Sequence, residues 1–77
     1  MTQEIVATLD GKVVQLHIRA GDKVEDDEEI LVIEAMKMET PIFAPCNGTV
    51  REVRIKEGDQ VAENDVLAII DEKHIEV

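Results

Sequence analysis

The chain has 77 residues, with 8 basic side chains against 18 acidic ones and a formal net charge of −10. This length predicts a single small domain over residues 1–77, and the acidic balance argues against nucleic acid or an anionic membrane surface as a partner. No apolar run approaches the roughly 20 residues that a transmembrane helix needs, so direct membrane insertion is not expected.

The composition leaves few catalytic chemistries. Cys46 is the only cysteine and the histidines are His17 and His74, which excludes a zinc site of the usual kind. The chain has no serine for a serine triad, and the spacing of Cys46 from either histidine does not support a nucleophile pair. The first residues lack a secretory signal, and a single free thiol fits an intracellular, reducing compartment such as the cytoplasm. We therefore expect no catalytic or metal site in this chain.

The sequence repeats itself after 37 residues. The first copy reads IVATLDGKVVQLHIRAGDKV from Ile5, and the second reads IFAPCNGTVREVRIKEGDQV from Ile42. Two copies are too few for a solenoid, which needs at least three. The repeat predicts one compact domain with internal two-fold pseudosymmetry, whose halves cover about residues 5–40 and 42–77.

Each copy begins with a strand pattern between two turn signals. Across residues 14–19, Val14, Leu16 and Ile18 alternate with polar side chains, which predicts a half-buried strand with these three facing the core. Asp10-Gly11 precedes this strand and Gly21-Asp22 follows it, and glycine suits such turns because it tolerates positive φ. The second copy repeats the pattern around Val53 and Ile55, between the turn signals Asn47-Gly48 and Gly58-Asp59.

Residues 26–39 allow two interpretations. Glu, Leu, Ala, Met and Lys are good helix formers, and Asp26 or Asp27 would cap a helix start. The matching stretch in the second copy, residues 64–71, is short and ends at a charge, so it fits a strand of about six residues. A helix of three turns fits only one copy, and we therefore predict a strand.

The centre of the chain is predicted to form a tight hairpin. One strand runs from about Ile30 to Ala35 and another from about Met38 to Phe43, so only Met36 and Lys37 lie between them. Two-residue hairpins need positive φ at one or both central residues and normally use Asn-Gly. Pro41 and Pro45 bracket residues 42–44 and confine them to an edge strand or to strand ends.

A lysine at such a tip points to a carrier function. Its amine sits on a flexible four-carbon stem, where another enzyme can reach and acylate it. The alternative is an ordinary solvated lysine. However, methionine and lysine do not favour positive φ, so they are unexpected in a turn whose only role is to reverse the chain. The flanking methionines, Met36 and Met38, either serve this site or partly cover the end of the core. The strands as a whole predict an all-β sandwich or flattened barrel of short antiparallel strands.

The stretch Ala35-Met36-Lys37-Met38 resembles the attachment motif of biotinyl domains, the biotin carboxyl carriers of biotin-dependent carboxylases and decarboxylases. Glu34 before it, Glu39-Thr40 after it and the later Lys56–Asp59 turn extend the resemblance over nearly the whole chain. It implies a barrel-sandwich hybrid of two four-stranded antiparallel sheets with a modified lysine at a hairpin tip.

The resemblance also implies the function. Lys37 would carry covalent biotin, attached by a biotin protein ligase, and the biotin would carry a carboxyl group from a biotin carboxylase site to a carboxyltransferase site. The chain itself would be a non-catalytic carrier. Residues read by the ligase would be Glu34, Ala35, Met36, Met38 and Glu39.

Two alternatives stay open at this point. A lipoyl carrier of a 2-oxo acid dehydrogenase or glycine cleavage system shares the fold and the tip lysine, although lipoyl domains usually have Asp before that lysine and Ala or Val after it. An unmodified scaffold of the same fold would need no lysine there. The sequence does not name the acceptor of the carboxyl group, because partner subunits determine that choice. The chain also lacks the inserted thumb that some acetyl-CoA carboxylase carriers have.

Overall fold

The computed structural model of this protein describes residues 1–72, and these contain eight strands and no helix. The strands are β1 (Thr2–Val6), β2 (Gly11–Leu16), β3 (Lys23–Val24), β4 (Glu29–Ala35), β5 (Met38–Phe43), β6 (Gly48–Val53), β7 (Gln60–Val61) and β8 (Val66–Glu72). Within the same residues there is no helix with the length and apolar character needed to cross a membrane. The expected all-β class is therefore confirmed.

The strands form two four-stranded antiparallel sheets. One sheet has the order β1-β8-β6-β3 and the other has the order β5-β4-β2-β7. Each sheet takes strands from both halves of the chain, so neither half forms a sheet alone. This arrangement is the predicted flattened barrel.

The 37-residue repeat is visible in the strand bounds. Shifting β2, β3 and β4 by this spacing reproduces the bounds of β6, β7 and β8. Hydrogen bonds between the halves are also related by the 37-residue shift. The Gly21 N–H donates to the Val50 oxygen at 2.8 Å, and the Gly58 N–H donates to the Val13 oxygen at 2.7 Å. These reciprocal bonds join the two halves.

The core lies between the two sheets and is made of aliphatic side chains. Its most deeply buried members are Val13, Ile30, Leu31, Ile33, Val50, Leu67 and Ile70. Four of the buried residues run consecutively along β4, from Ile30 to Ile33. Such a run is typical of a strand covered on both faces, so burial here outweighs the helix propensity of the surrounding residues. The strand interpretation of this segment is confirmed.

Glycine is needed at two of the four predicted positions for a reason other than positive φ. Gly21 and Gly58 both have a φ of 97° and use the conformational freedom of glycine. Gly11 and Gly48 instead open strands β2 and β6 and do not have positive φ. A Cβ atom on Gly11 would meet the Glu34 oxygen at 2.5 Å, so this position needs glycine for close approach of two strands.

The strand predicted over residues 14–19 is wrong in its bounds, because β2 runs over Gly11–Leu16, and its predicted alternation is wrong at one position. Val14 was expected on the core face, but Val13 is fully buried and Val14 is only half-buried. The register between β2 and β4 shifts between Val13 and Gln15, which makes Val14 the extra residue of a β-bulge. Ile18 is buried as predicted.

We expect Gly48→Ala to lower the free energy of unfolding by about 1–3 kcal/mol, the usual cost of overpacking. The added methyl group would meet the Ile70 Cγ2 atom at 2.8 Å and the Asp71 carbonyl oxygen, both held in β8. Thr49→Ala, on the exposed neighbour, should change the stability by less than about 0.5 kcal/mol. Urea unfolding measures both, and equal stability of the two variants would contradict the close-approach argument.

Candidate functional site

The hairpin between β4 and β5 presents Lys37 at its tip. Ala35 and Met38 form the last pair of the β4–β5 ladder, which leaves Met36 and Lys37 as the whole turn. The Met38–Phe43 strand has the predicted bounds, and the preceding strand begins one residue earlier than predicted, at Glu29. The predicted two-residue hairpin is confirmed.

Both turn residues have left-handed backbone conformations. Met36 has a φ of 52° and Lys37 a φ of 66°. Positive φ at both central residues defines a type I′ turn, which matches the twist of the flanking strands and is normally filled by Asn-Gly. A side chain with a Cβ atom pays about 1–2 kcal/mol for this conformation. The expected strain is therefore present in the backbone, in two residues with no preference for it.

The strand behind the tip is paired on both sides and deeply packed. β4 is an interior strand, paired with β2 on one side and β5 on the other. Ile33 is fully buried and pairs with Val13 and Thr40. The turn therefore stands on a packed base, which sets the direction in which the Lys37 stem leaves the protein.

The side chains at the tip point into solvent. Met36 is 95% exposed and Met38 is 71% exposed, so neither covers the end of the core. The alternative role of the methionines as core cover is therefore wrong. Lys37 is also exposed, and among residues 1–72 it takes part in no ion pair. Two large apolar side chains thus flank a free amine in water.

Two carboxylates lie directly behind the turn. Glu34 and Glu39 face each other in the β4–β5 register, where opposite Cβ atoms are about 4.5–5.5 Å apart and like charges destabilise the pair. Lys12 of β2 is the register partner of Glu34 on its other side. This row of three side chains therefore has an excess carboxylate near the tip. Ala35 is half-buried next to it.

The opposition of the two glutamates was missed from the sequence, although a signal was present. Once Ala35 and Met38 close a two-residue turn, the next pair outward must be Glu34 and Glu39. Phe43 was also missed as a surface feature. It is the only aromatic residue of the chain and is 50% exposed.

Two further side chains that could take part in nucleophilic chemistry are Cys46 and His17. Burial raises the pKa of the Cys46 thiol, and the nearby Glu72 and Asp26 carboxylates raise this pKa further, so the reactive thiolate is disfavoured. The His17 Nε2 atom lies 2.8 Å from Glu29 Oε2. Residues 1–72 contain no cluster of three potential metal ligands. His74 lies outside the described residues.

Comparison with known proteins places these features in one family. The family profile described as "Biotin-requiring enzyme", of the biotin/lipoyl type, matches residues 1–70. A biotin/lipoyl attachment protein from Bacillus subtilis is 49% identical over 34 residues, which are 44% of this chain and 47% of that protein. The biotin carboxyl carrier protein of acetyl-CoA carboxylase from Solanum lycopersicum is 42% identical over 41 residues, 53% of this chain and 59% of that protein.

Solved structures show the same fold inside larger enzymes. The Kluyveromyces lactis urea carboxylase matches 92% of this chain with a TM-score of 0.84 and 30% identity. A single-chain, multi-domain long-chain acyl-CoA carboxylase matches 96% of it with a TM-score of 0.87 and 26% identity. The chain spans only 6% and 7% of those two proteins, and less than two thirds of the curated relatives above.

We expect the double substitution Met36→Asn/Lys37→Gly to raise the free energy of unfolding by about 1 kcal/mol, because these residues adopt positive φ more easily. For a domain of this size the melting midpoint should rise by about 4–8 °C. Met38→Asn, one residue into the strand, serves as the control and should give no gain. Thermal unfolding of the double variant at the parent temperature would show that the turn stores no strain.

Proposed function

Because the chain belongs to the biotin/lipoyl attachment family, we propose that it is a biotin carboxyl carrier in which the Lys37 Nζ atom holds biotin through an amide bond. The observation that carries this proposal is the type I′ turn, whose two strained residues present one exposed lysine at the end of a paired, packed strand. Retaining a strained turn is expected where the turn residues themselves have a function.

The tip fits a covalently attached group. The Lys37 side chain is exposed and free of ion pairs within residues 1–72, so no internal contact has to break before acylation. Attachment joins the amine nitrogen to the carboxyl carbon of activated biotin and releases the activating group and a proton. The formal net charge then changes from −10 to −11. Biotin, once bound, supplies the ring that carries a carboxyl group.

The residues around Lys37 form a recognition surface for the biotin protein ligase. The exposed side chains of Met36 and Met38 supply apolar contacts on both sides of the amine. Glu34 and Glu39 offer paired carboxylates to basic side chains of the ligase. Ala35 is small, so a partner can approach the ladder closely beside Met38.

The chain transports and does not catalyse. Its partners are the biotin protein ligase, a biotin carboxylase and a carboxyltransferase, as subunits or as domains. A tethered group reaches both enzymes at the effective concentration set by its arm, and Lys37 at a protruding tip lengthens that arm. The single Cys46, with its thiolate disfavoured, is compatible with work in an intracellular, reducing compartment.

The lipoyl alternative is not favoured. By resemblance, lipoyl carriers have Asp before the modified lysine and Ala or Val after it, whereas this chain has Met36 and Met38. Relatives named as carboxylases include the mouse mitochondrial pyruvate carboxylase, 43% identical over 42 residues, which are 54% of this chain and 4% of that enzyme. The acceptor substrate is a property of the partner carboxyltransferase.

Co-expression with a competent biotin ligase should add one biotinyl group to the intact mass of the protein. Lys37→Arg should remove this addition completely, because arginine keeps the positive charge but does not form the amide. The exposed Lys12, Lys23 and Lys56 serve as internal controls and should stay unmodified. Biotin on the Lys37→Arg variant, or a lipoyl group in place of biotin on the parent, would contradict the proposal.

Exchanging Met36 with Lys37 should slow biotinylation by at least about tenfold, because the amine would leave the turn in another direction. The exchange Lys37 with Met38 should do the same, and both variants keep the composition and charge of the tip. A factor of ten corresponds to about 1.4 kcal/mol of lost transition-state stabilisation. Initial rates with the purified ligase test this, and undiminished rates would show that turn geometry is irrelevant.

A further inference from the structure

Edge strands of the two sheets line a common groove. β1 is one edge strand of its sheet, with β3 at the other edge, and β5 is one edge strand of the second sheet, with β7 at the other edge. Between β1 and β5 is a depression of about 350 Å³. It is lined by Glu4, Ile5, Val6, Thr8, Pro41, Ile42, Phe43 and Pro45. This groove lies along the strands and does not include the tip residues Met36 and Lys37.

The two edges differ in their main-chain hydrogen-bonding groups. The Glu72 N–H donates to the Met1 oxygen at 2.8 Å, so in the alternating antiparallel pattern Met1, Gln3 and Ile5 pair with β8. Thr2 and Glu4 therefore turn their N–H and C=O groups toward the open edge.

The edge of β5 lacks a main-chain N–H group at the position where the edge of β1 has one. Pro41 follows Glu4 by 37 residues, so it occupies the equivalent place in β5, but it has no N–H. A proline on an edge strand is a common protection against pairing with another chain. β1 contains no proline, and the β-bulge in its pairing with β8 lies between Ile5 and Val6, after Glu4.

The groove also has a distinct chemical character. Phe43 is 50% exposed in its wall, where the equivalent residue of the first copy is the smaller Val6. Glu4 is the only charged residue among the lining residues. An occupant must therefore present apolar side chains to Phe43 and a cationic side chain to Glu4.

We propose that the open edge of β1 is a strand-addition site for an extended, basic segment of a partner polypeptide. The segment pairs with the main chain of Thr2 and Glu4, places an apolar side chain against Phe43 and sets a lysine or arginine beside the Glu4 carboxylate. A second copy of this chain is a poor occupant, because each copy has a net charge of −10. The site does not depend on attachment at Lys37, so the two proposals succeed or fail separately.

The pseudosymmetry supplies matched variants. Glu4→Pro gives β1 the residue that β5 has at the equivalent position, so it removes an outward N–H without loss of a β1–β8 bond. Glu4→Gln keeps the N–H and removes only the charge. Phe43→Val gives β5 the residue of β1. Each substitution thus uses a side chain that the fold already accepts or a close isostere.

The test is an NMR titration of the protein with a capped hexapeptide of alternating valine and lysine. We expect amide shifts concentrated on Thr2, Glu4, Val6 and Phe43, with Lys37 unchanged. Glu4→Pro should weaken binding about tenfold, as expected for one lost main-chain hydrogen bond near the upper end of its usual range. Glu4→Gln should also weaken binding of this peptide. A matched peptide of alternating valine and glutamate should bind the parent protein more weakly, and added salt should reduce the difference in affinity between the two peptides.

Several results would overturn the proposal. These are the absence of saturable shifts, shifts spread over the acidic segment 25–29, and equal affinity of Glu4→Pro and the parent. Sedimentation velocity at the titration concentration tests whether a second copy of the chain binds at this edge instead. A dimer that Glu4→Pro abolishes would assign this edge to a second copy of the chain.

Discussion

The ladder between β4 and β5 is the constraint on which the rest of the site depends. Ala35 pairs with Met38, and this pair leaves two residues to reverse the chain. A reversal of this length between twisted strands requires left-handed backbone, which Met36 and Lys37 adopt at φ values of 52° and 66°. The position of the lysine amine thus follows from the register, in which the fully buried Ile33 pairs with Thr40.

The internal repeat separates what the fold needs from what the site needs. Gly21 and Gly58 have the same positive φ of 97°. Gly11 and Gly48 each lie close to the backbone of a neighbouring strand, so both copies place glycine for the same two structural reasons. The tip of the β4–β5 hairpin has no such requirement for methionine and lysine. Residues that differ between the copies without a packing reason, such as Phe43 against Val6, are therefore candidates for function.

Much of this architecture could be predicted from the sequence, because two copies constrain each other. The repeat decided residues 30–35 in favour of a strand when propensity alone was ambiguous, and it placed the two-residue hairpin. The bulge at Val14 could not be predicted, since Val13 and Val14 are equally apolar and only the pairing with β4 decides between them. The role of Gly11 was also hidden, because a close approach to Glu34 depends on two strands distant in sequence. The exposure of Met36 and Met38 could not be predicted from the sequence either, because it depends on the geometry of the turn.

We propose that a shaped turn, and not the local sequence alone, makes Lys37 the attachment site. The direct test compares kcat/KM of a biotin ligase for the folded protein and for a linear peptide of residues 30–43. Ordering a few residues of a flexible peptide costs about 1–2 kcal/mol each, so the folded protein should be the better substrate by on the order of 100-fold. Equal kcat/KM values for the protein and the peptide would contradict the claim.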